Sequence, residues 1–294
     1  MKIAVVGAGK WGMALAHAYS QKNQVVISSR AKRDLANFVS IKEALSYKYI
    51  VMAVPTQFVR EFMSEHFSFS GQKILVAAKG IEVSSGKFLN EVYEEFLPKE
   101  NIAFLSGPSF AAEVVKSLPT ALVVSSTNKK LAKKFADAMP SYIKAYVDSD
   151  VAGAEVSGAY KNVIAIAAGV CDGLELGNNA RAALISRGLV EMTRFGKHFG
   201  AKKRTFLSLG GAGDLFLTAS SNLSRNYRVG FGLAKGKSLK EVLEELGEVA
   251  EGVATTKALV NIAKKEDIYL PIASEVEKLL NGKDPKESLR DLLK

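Results

Sequence analysis

Apolar positions along the first half of the chain fall into short continuous runs: "KIAVVGAG" from Lys2, "QVVISSR" from Gln24, "YIVMAVP" from Tyr49, "KILVAAKG" from Lys73, "IAFLSGP" from Ile102 and "TALVVSS" from Thr120. Segments of helical period, such as "WGMALAHAYSQK" from Trp11, lie between them. Short β-branched runs alternating with helical patterns predict βαβ units and a mostly parallel sheet. Runs without polar alternation are expected where helices cover both faces of such a sheet. After "YIKAYVDSD" (Tyr142 to Asp150) the texture changes. Long helical patterns take over at Ala154 to Val170, Ala180 to Phe199, Asp214 to Ser220, Leu239 to Glu245, Thr255 to Lys265 and Ile272 to Leu280. The change places a domain boundary near Asp148 to Gly153. It predicts an α/β domain over 1–150 and an all-helical domain over 151–294.

The composition narrows the class. With 294 residues, 48% hydrophobic and 24% charged, the chain can bury one large core or two smaller ones. Cys171 is the single cysteine, which excludes an internal disulfide and fits a reducing, cytoplasmic compartment. The N-terminus lacks a signal-peptide pattern, and no window reaches the ~18 apolar residues of a membrane span. The net charge of +10 admits nucleic acid or anionic small molecules as partners. The lysines are scattered, however. The densest run, "NKKLAKKF" (Asn128 to Phe135), reads as a solvated helix face without interleaved aromatics. Phosphorylated small molecules match better than nucleic acid.

"GAGKWG" places Gly7, Gly9 and Gly12 between a strand and a helix. In that context Gly7 permits a tight turn, Gly9 lets the backbone approach a pyrophosphate, and Gly12 lets helix and strand pack closely. The helix N-terminus then faces the anion. The end of the second run carries Ser29 and Arg30, with Lys32 and Arg33 behind, where a carboxylate would bind the ribose of NAD. A guanidinium suits a 2′-phosphate, so NADP is favoured over NAD.

Four later stretches resist a purely structural reading. "AAKG" sets Lys79 at a strand end, and "SGPSFAAEV" is a tight turn into a helix. "LGGAGDLFLT" sets Asp214 after a glycine-rich loop, and "SRN" groups Ser224, Arg225 and Asn226. Asp214 could equally be an N-cap, Arg225 a surface cation and Lys79 a solvated strand end. "SGAYKNVIAIAAG" puts Lys161 and Asn162 inside an apolar, small-residue helix. A buried ammonium is costly unless compensated. Either Lys161 snorkels to water, or it is a proton donor to the alkoxide left by hydride transfer to a ketone. Asn162 would then hold a substrate oxygen.

These blocks, with "LVAAKGIE" and "EVAEGVATTKA", stand in the order that resembles the bacterial-type NAD(P)-dependent glycerol-3-phosphate dehydrogenases, from Lys2 to about Leu280. The resemblance implies a Rossmann-type domain followed by an all-α domain. It implies interconversion of dihydroxyacetone phosphate and sn-glycerol 3-phosphate, feeding phospholipid synthesis. Lys161 is implied as proton donor and acceptor, in a catalytic set with Asp214 and Lys79, and Lys79, Gly107, Ser109, Asn162, Asp214, Thr218, Ser224, Arg225 and Asn226 are implied around the substrate. Gly7, Gly9, Lys10, Trp11, Gly12, Arg30, Lys79, Ala111, Arg225, Val249 and Glu251 are implied on the cofactor side. No metal is expected, and a homodimer is among the arrangements the resemblance admits. Lys10 replaces the usual small polar residue, Met13 replaces a threonine, and the stretch from Arg30 to Tyr49 is shorter than usual. The alternatives are another dehydrogenase of this two-domain group, such as a 3-hydroxyacid dehydrogenase, a non-catalytic cofactor-binding regulator, and a nucleic-acid-binding protein. The "SRN" block opposes the first. The intact set of Lys161, Asp214 and Arg225 opposes the second, and the scattered lysines oppose the third.

Overall fold

In a computed structural model, which describes residues 1–293, the chain divides into two compact units. The first comprises Met1–Lys79 and Phe88–Glu155, the second Gly80–Lys87 and Val156–Lys294. The segment Gly80–Lys87 thus clusters with the helical unit, although its sequence position suggested the first domain. A Cβ built on Gly86 would stand 3.7 Å from Ile262 Cγ1, so this segment packs beside a helix of that unit.

The first unit is built on seven strands: β1 (Lys2–Val6), β2 (Gln24–Ser28), β3 (Tyr49–Met52), β4 (Lys73–Val76), β5 (Ile102–Ser106), β6 (Thr120–Ser125) and β7 (Ile143–Asp148). They lie in the order β2-β1-β3-β4-β5-β6-β7. Every pairing is parallel except β5 with β6, an antiparallel turn-back that short apolar runs do not encode. Alternate residues supply two cores. Ile3, Val5, Val51 and Leu75 face one side, while Ala4, Val6, Ile50, Met52 and Ile74 face the other. Helices α1 (Lys10–Ser20) and α6 (Lys129–Asp137) pack on the first side, and α3 (Val59–His66) and α4 (Leu89–Glu94) on the second. The remaining helices here are α2 (Ile41–Leu45) and α5 (Ala111–Val115). Helices on both sides explain why the strands carry no polar alternation.

The short region between Arg30 and Tyr49 runs beside the free edge of β2. Ile27 donates its N–H to the Asn37 carbonyl at 2.9 Å, and Val39 donates to the Ile27 carbonyl at 2.9 Å. The Asn37 amide adds a bond to the Val25 carbonyl at 3.1 Å. A strand edge that would otherwise invite pairing with another chain is thereby covered.

The second unit contains α7 (Val151–Gly173), which begins in the first, then α8 (Gly177–His198), α9 (Lys203–Phe206), α10 (Asp214–Ala219), α11 (Arg225–Ala234), α12 (Leu239–Leu246), α13 (Glu251–Lys265), α14 (Pro271–Leu280) and α15 (Pro285–Leu293). Every residue from Val156 to Cys171 is buried, so α7 is the unit's central helix. Its small residues admit neighbouring backbones. A Cβ on Gly169 would overlap the Tyr227 carbonyl, and one on Gly230 would overlap the Ile166 carbonyl. Helices α7 and α11 therefore meet backbone to backbone. Among the described residues, no helix is long and apolar enough to cross a membrane.

Candidate active site

The predicted residues fall into two sets, one on each unit. On the first, β1 ends in a turn where Gly7 has φ 108°, a left-handed conformation that favours glycine. A Cβ on Gly7 would also stand 2.6 Å from the Ala53 carbonyl at the end of β3. The turn therefore sits where β1 and β3 diverge, the switch point at which open α/β sheets bind ligands. Gly12 packs so closely under the turn that a Cβ there would overlap the Gly7 carbonyl oxygen.

Gly9 differs: a Cβ there would meet nothing within 4 Å. It precedes α1, whose first turn has no acidic residue and no side-chain cap. A glycine beside open space at an uncapped helix N-terminus is what a dinucleotide pyrophosphate requires. The residues present thus fit the cofactor: Gly7, Gly9 and Gly12 would cradle it, with exposed Lys10 and half-buried Trp11 following. Arg30, Lys32 and Arg33 are exposed just beyond β2. Lys79 is half-buried beyond β4. Gly107 has φ 107° in the turn after β5, and Ser109 donates to its carbonyl at 3.2 Å. Ala111 opens α5.

On the second unit, Lys161 resolves the choice left open by its sequence. Its residue is only 8% exposed, so it does not snorkel. Its Nζ donates to Asp214 Oδ1 at 2.5 Å and to Thr218 Oγ1 at 3.0 Å. Asp214 is 1% exposed and supplies the opposite charge that a buried ammonium needs. It occupies the first helical position of α10, after Gly213, so its carboxylate serves Lys161 rather than acting as an N-cap. Thr218, one turn later, donates to the Asp214 carbonyl at 2.6 Å while accepting from Lys161.

The glycine-rich loop before Asp214 is wound wider than an α-helix, with Gly213 N–H reaching the Ser208 carbonyl at 3.1 Å. A Cβ on Gly211 would overlap the backbone of Phe206. Such wide turns recur at functional sites because they re-aim the residue that follows.

The "SRN" residues open α11, a helix that periodicity alone did not reveal. Buried Ser224 is its N-cap, accepting from Tyr227 N–H at 3.2 Å. Arg225 is exposed and pairs with Glu248 at 3.4 Å. Asn226 is buried, and its Oδ1 accepts from Gly252 N–H at 2.9 Å, capping the start of α13. That bond leaves the amide nitrogen to act as donor, which suits a phosphate or hydroxyl oxygen. A Cβ on Gly252 would stand 2.7 Å from Asn226 Oδ1 and 2.9 Å from the Asn162 carbonyl, so Asn162, Asn226 and Gly252 converge. Asn162 donates to the Gly158 carbonyl at 3.3 Å. Glu251 begins α13 and Val249 is exposed just before it.

Glu248 and Gly252 went unpredicted. The signal for Gly252 was a glycine in the first turn of a helical segment, a place where glycine admits close approach by another group; Glu248 carried no such signal. Glu191 is a further buried acid of this unit. It accepts from Tyr160 Oη at 2.6 Å and from the N–H groups of Ile272 and Ala273 at 2.9 Å each. Burial nonetheless holds its carboxyl above the usual range.

Two family models match the chain: the N-terminus of NAD-dependent glycerol-3-phosphate dehydrogenase over residues 30–132, and its C-terminus over 150–290. Glycerol-3-phosphate dehydrogenase [NAD(P)+] of Sulfurimonas denitrificans is 63% identical, the match covering 99% of each chain. The Campylobacter lari protein of the same name is 60% identical, over 100% of this chain and 98% of that one. The crystal structure of glycerol-3-phosphate dehydrogenase from Coxiella burnetii is 33% identical, with a TM-score of 0.92 over 100% of this chain and 98% of the other. Matches at this identity across the full length leave one assignment: the chain belongs to the NAD(P)-dependent glycerol-3-phosphate dehydrogenase family.

Proposed function

We propose that this chain catalyses NAD(P)H-dependent reduction of dihydroxyacetone phosphate to sn-glycerol 3-phosphate, supplying the glycerol phosphate of phospholipids. The observation that carries the reading is the buried trio of Lys161, Asp214 and Thr218 on the same unit as the Ser224–Arg225–Asn226 helix start. Such a trio is expensive to build and has no structural need of a lysine.

The phosphate is held by the Arg225 guanidinium and the Asn226 amide nitrogen, both donors. Lys161 donates a hydrogen bond to the ketone oxygen and polarises the carbonyl. A reduced nicotinamide dinucleotide, held at the Gly7–Gly9–Gly12 turn, would supply the hydride. As the oxygen gains charge, Lys161 passes it a proton and becomes a neutral amine, which water reprotonates. Asp214 and Thr218 keep Nζ in one place through this cycle. General acid catalysis of this kind contributes typically ~10²–10⁴-fold. Lys79, Gly107 and Ser109 are assigned to the substrate as well, and Asn162 holds one of its oxygens.

On the cofactor side, Trp11, Ala111, Val249 and Glu251 line the dinucleotide beyond its glycine turn. Arg30 reads the 2′-phosphate and makes NADPH the preferred donor, with NADH also used. The enzyme works in the cytoplasm, as a monomer or homodimer.

The test follows NADPH and NADH oxidation with dihydroxyacetone phosphate against hydroxyacetone, its analogue lacking phosphate. A site built to bond a group rejects the analogue lacking it strongly, so kcat/KM should differ by at least ~10³-fold. Equal use of both ketones would move the assignment to a 3-hydroxyacid dehydrogenase type.

A further inference from the structure

Tyr227 directly follows the pair assigned to the substrate phosphate, and it is held to α7 at both ends. Its backbone carbonyl rests on Gly169, one of the points where α11 and α7 meet backbone to backbone. Its hydroxyl donates to Asp172 Oδ2 at 2.6 Å. Gly169 and Asp172 are three residues apart, hence on one face of α7. The same Oδ2 accepts from Arg181 at 2.8 Å, and Arg181 also donates to Asn178 at 2.8 Å, which ties in the start of α8. The Tyr227 ring stacks on Phe231, one turn along α11, at 6.4 Å between centroids.

Burial, reinforced by the Asp172 carboxylate, pushes the Tyr227 hydroxyl up to about 12. It therefore remains a donor throughout the working pH range. Asp172 is eleven residues from Lys161 along α7, about 16 Å at the helical rise. The anchor is thus remote from the proton-transfer centre but adjacent in sequence to the phosphate pair.

We propose that Tyr227, through its bond to Asp172, is a positioning residue for Arg225 and Asn226. It fixes the rotation of α11 on α7 and so the reach of both donors, making preference for a phosphorylated ketone depend on a contact distant from the reacting carbonyl. This inference rests on the substrate reading above. Misplacement of a binding group by about 1 Å can cost ~10²-fold, so a loosened anchor is readable in kinetics.

The test is Tyr227→Phe, which keeps the ring and its packing and deletes only the donor. The kcat/KM for dihydroxyacetone phosphate should fall about 5–50-fold through KM, while that for hydroxyacetone stays within about twofold. Tyr227→Arg, which restores a donor to Asp172, should return the ratio of the two to within about threefold of the parent. A parallel fall for both ketones would show general loosening and overturn the inference, as would no fall for either. A parent enzyme indifferent to the phosphate would instead remove the substrate reading.

Discussion

Gly12 packs against the Gly7 carbonyl so tightly that no Cβ fits between them, whereas Gly9, between the two in sequence, faces open space. The three glycines of one motif therefore answer to different demands. Gly12→Ala forces backbone apart and should destabilise by at least the ~1–3 kcal/mol of overpacking. Gly9 has φ −75° and ψ 176°, which any residue adopts. Gly9→Ala should thus melt within about 2 °C of the parent while its NADPH KM rises about tenfold or more, because the methyl occupies the pyrophosphate's place. Thermal melts paired with cofactor titration check both. A Gly9→Ala enzyme with normal cofactor affinity would show that the open space is not the cofactor's.

Glu248 already holds the guanidinium that the phosphate is proposed to take. The pair is 3.4 Å apart, with side chains 45% and 32% exposed. Such a bridge is worth ~0–1 kcal/mol, so displacing it costs the substrate at most about fivefold in affinity. Glu248→Gln should lower the KM for dihydroxyacetone phosphate by up to that factor and leave kcat within about twofold. Steady-state kinetics at low salt would show it; a tenfold rise in KM would mean that Glu248 orients Arg225 rather than competing for it.

Arg30 stands exposed beyond β2 with no carboxylate beside it in sequence. Arg30→Ala should raise the NADPH KM about tenfold and change that of NADH by less than threefold, since only the former carries the 2′-phosphate. Equal effects on both would place Arg30 against a part of the dinucleotide that the two share.

Much of this architecture was legible beforehand, and the exceptions have physical causes. The strands and long helices announce themselves because Val5, Met52 or Ile166 is apolar at every periodic position of its element. The glycine turn is equally plain, because φ 108° at Gly7 leaves little alternative. Lys161 was ambiguous because a helical position does not encode its partner. Asp214 lies fifty-three residues away and only tertiary packing brings it within 2.5 Å. Helix α11 was hidden for a related reason: its Gly230 and Gly232 serve packing against Ile166 and Val242 and weaken the helical signal. The antiparallel β6 and the affiliation of Gly80–Lys87 with the second unit rest on long-range pairing, which local patterns do not carry.

Glu155 makes a pH-dependent contribution to stability. It is buried, with Oε1 accepting from Asn90 N–H at 3.0 Å and Oε2 without a hydrogen-bonding partner. Burial, with the nearby Glu91 and Glu94 carboxylates, holds its carboxyl well above the usual range despite the backbone donors. A raised folded-state value means that the folded chain binds the proton more tightly than the unfolded one. Stability is then lost as pH rises from about 4.5 through the folded-state value, by up to ~1.4 kcal/mol per pH unit for this group. Glu155→Gln removes this dependence, so it should melt above the parent at pH 8 and lose that advantage near pH 4. Melting curves across pH 4–8 test the sign; a variant less stable than the parent at pH 8 would show that the carboxylate is compensated after all.

The central claim is that Lys161 carries the proton. Its removal takes the ammonium counter-charge from buried Asp214, a loss of ~3–5 kcal/mol, so each variant is first checked for folding and NADPH binding. The decisive quantity is the single-turnover rate of NADPH oxidation by Lys161→Met at saturating dihydroxyacetone phosphate. A fall of ~10²–10⁴-fold, with NADPH affinity within about threefold of the parent, is the predicted result. A folded, NADPH-binding variant that keeps more than about a tenth of the parental rate would contradict it.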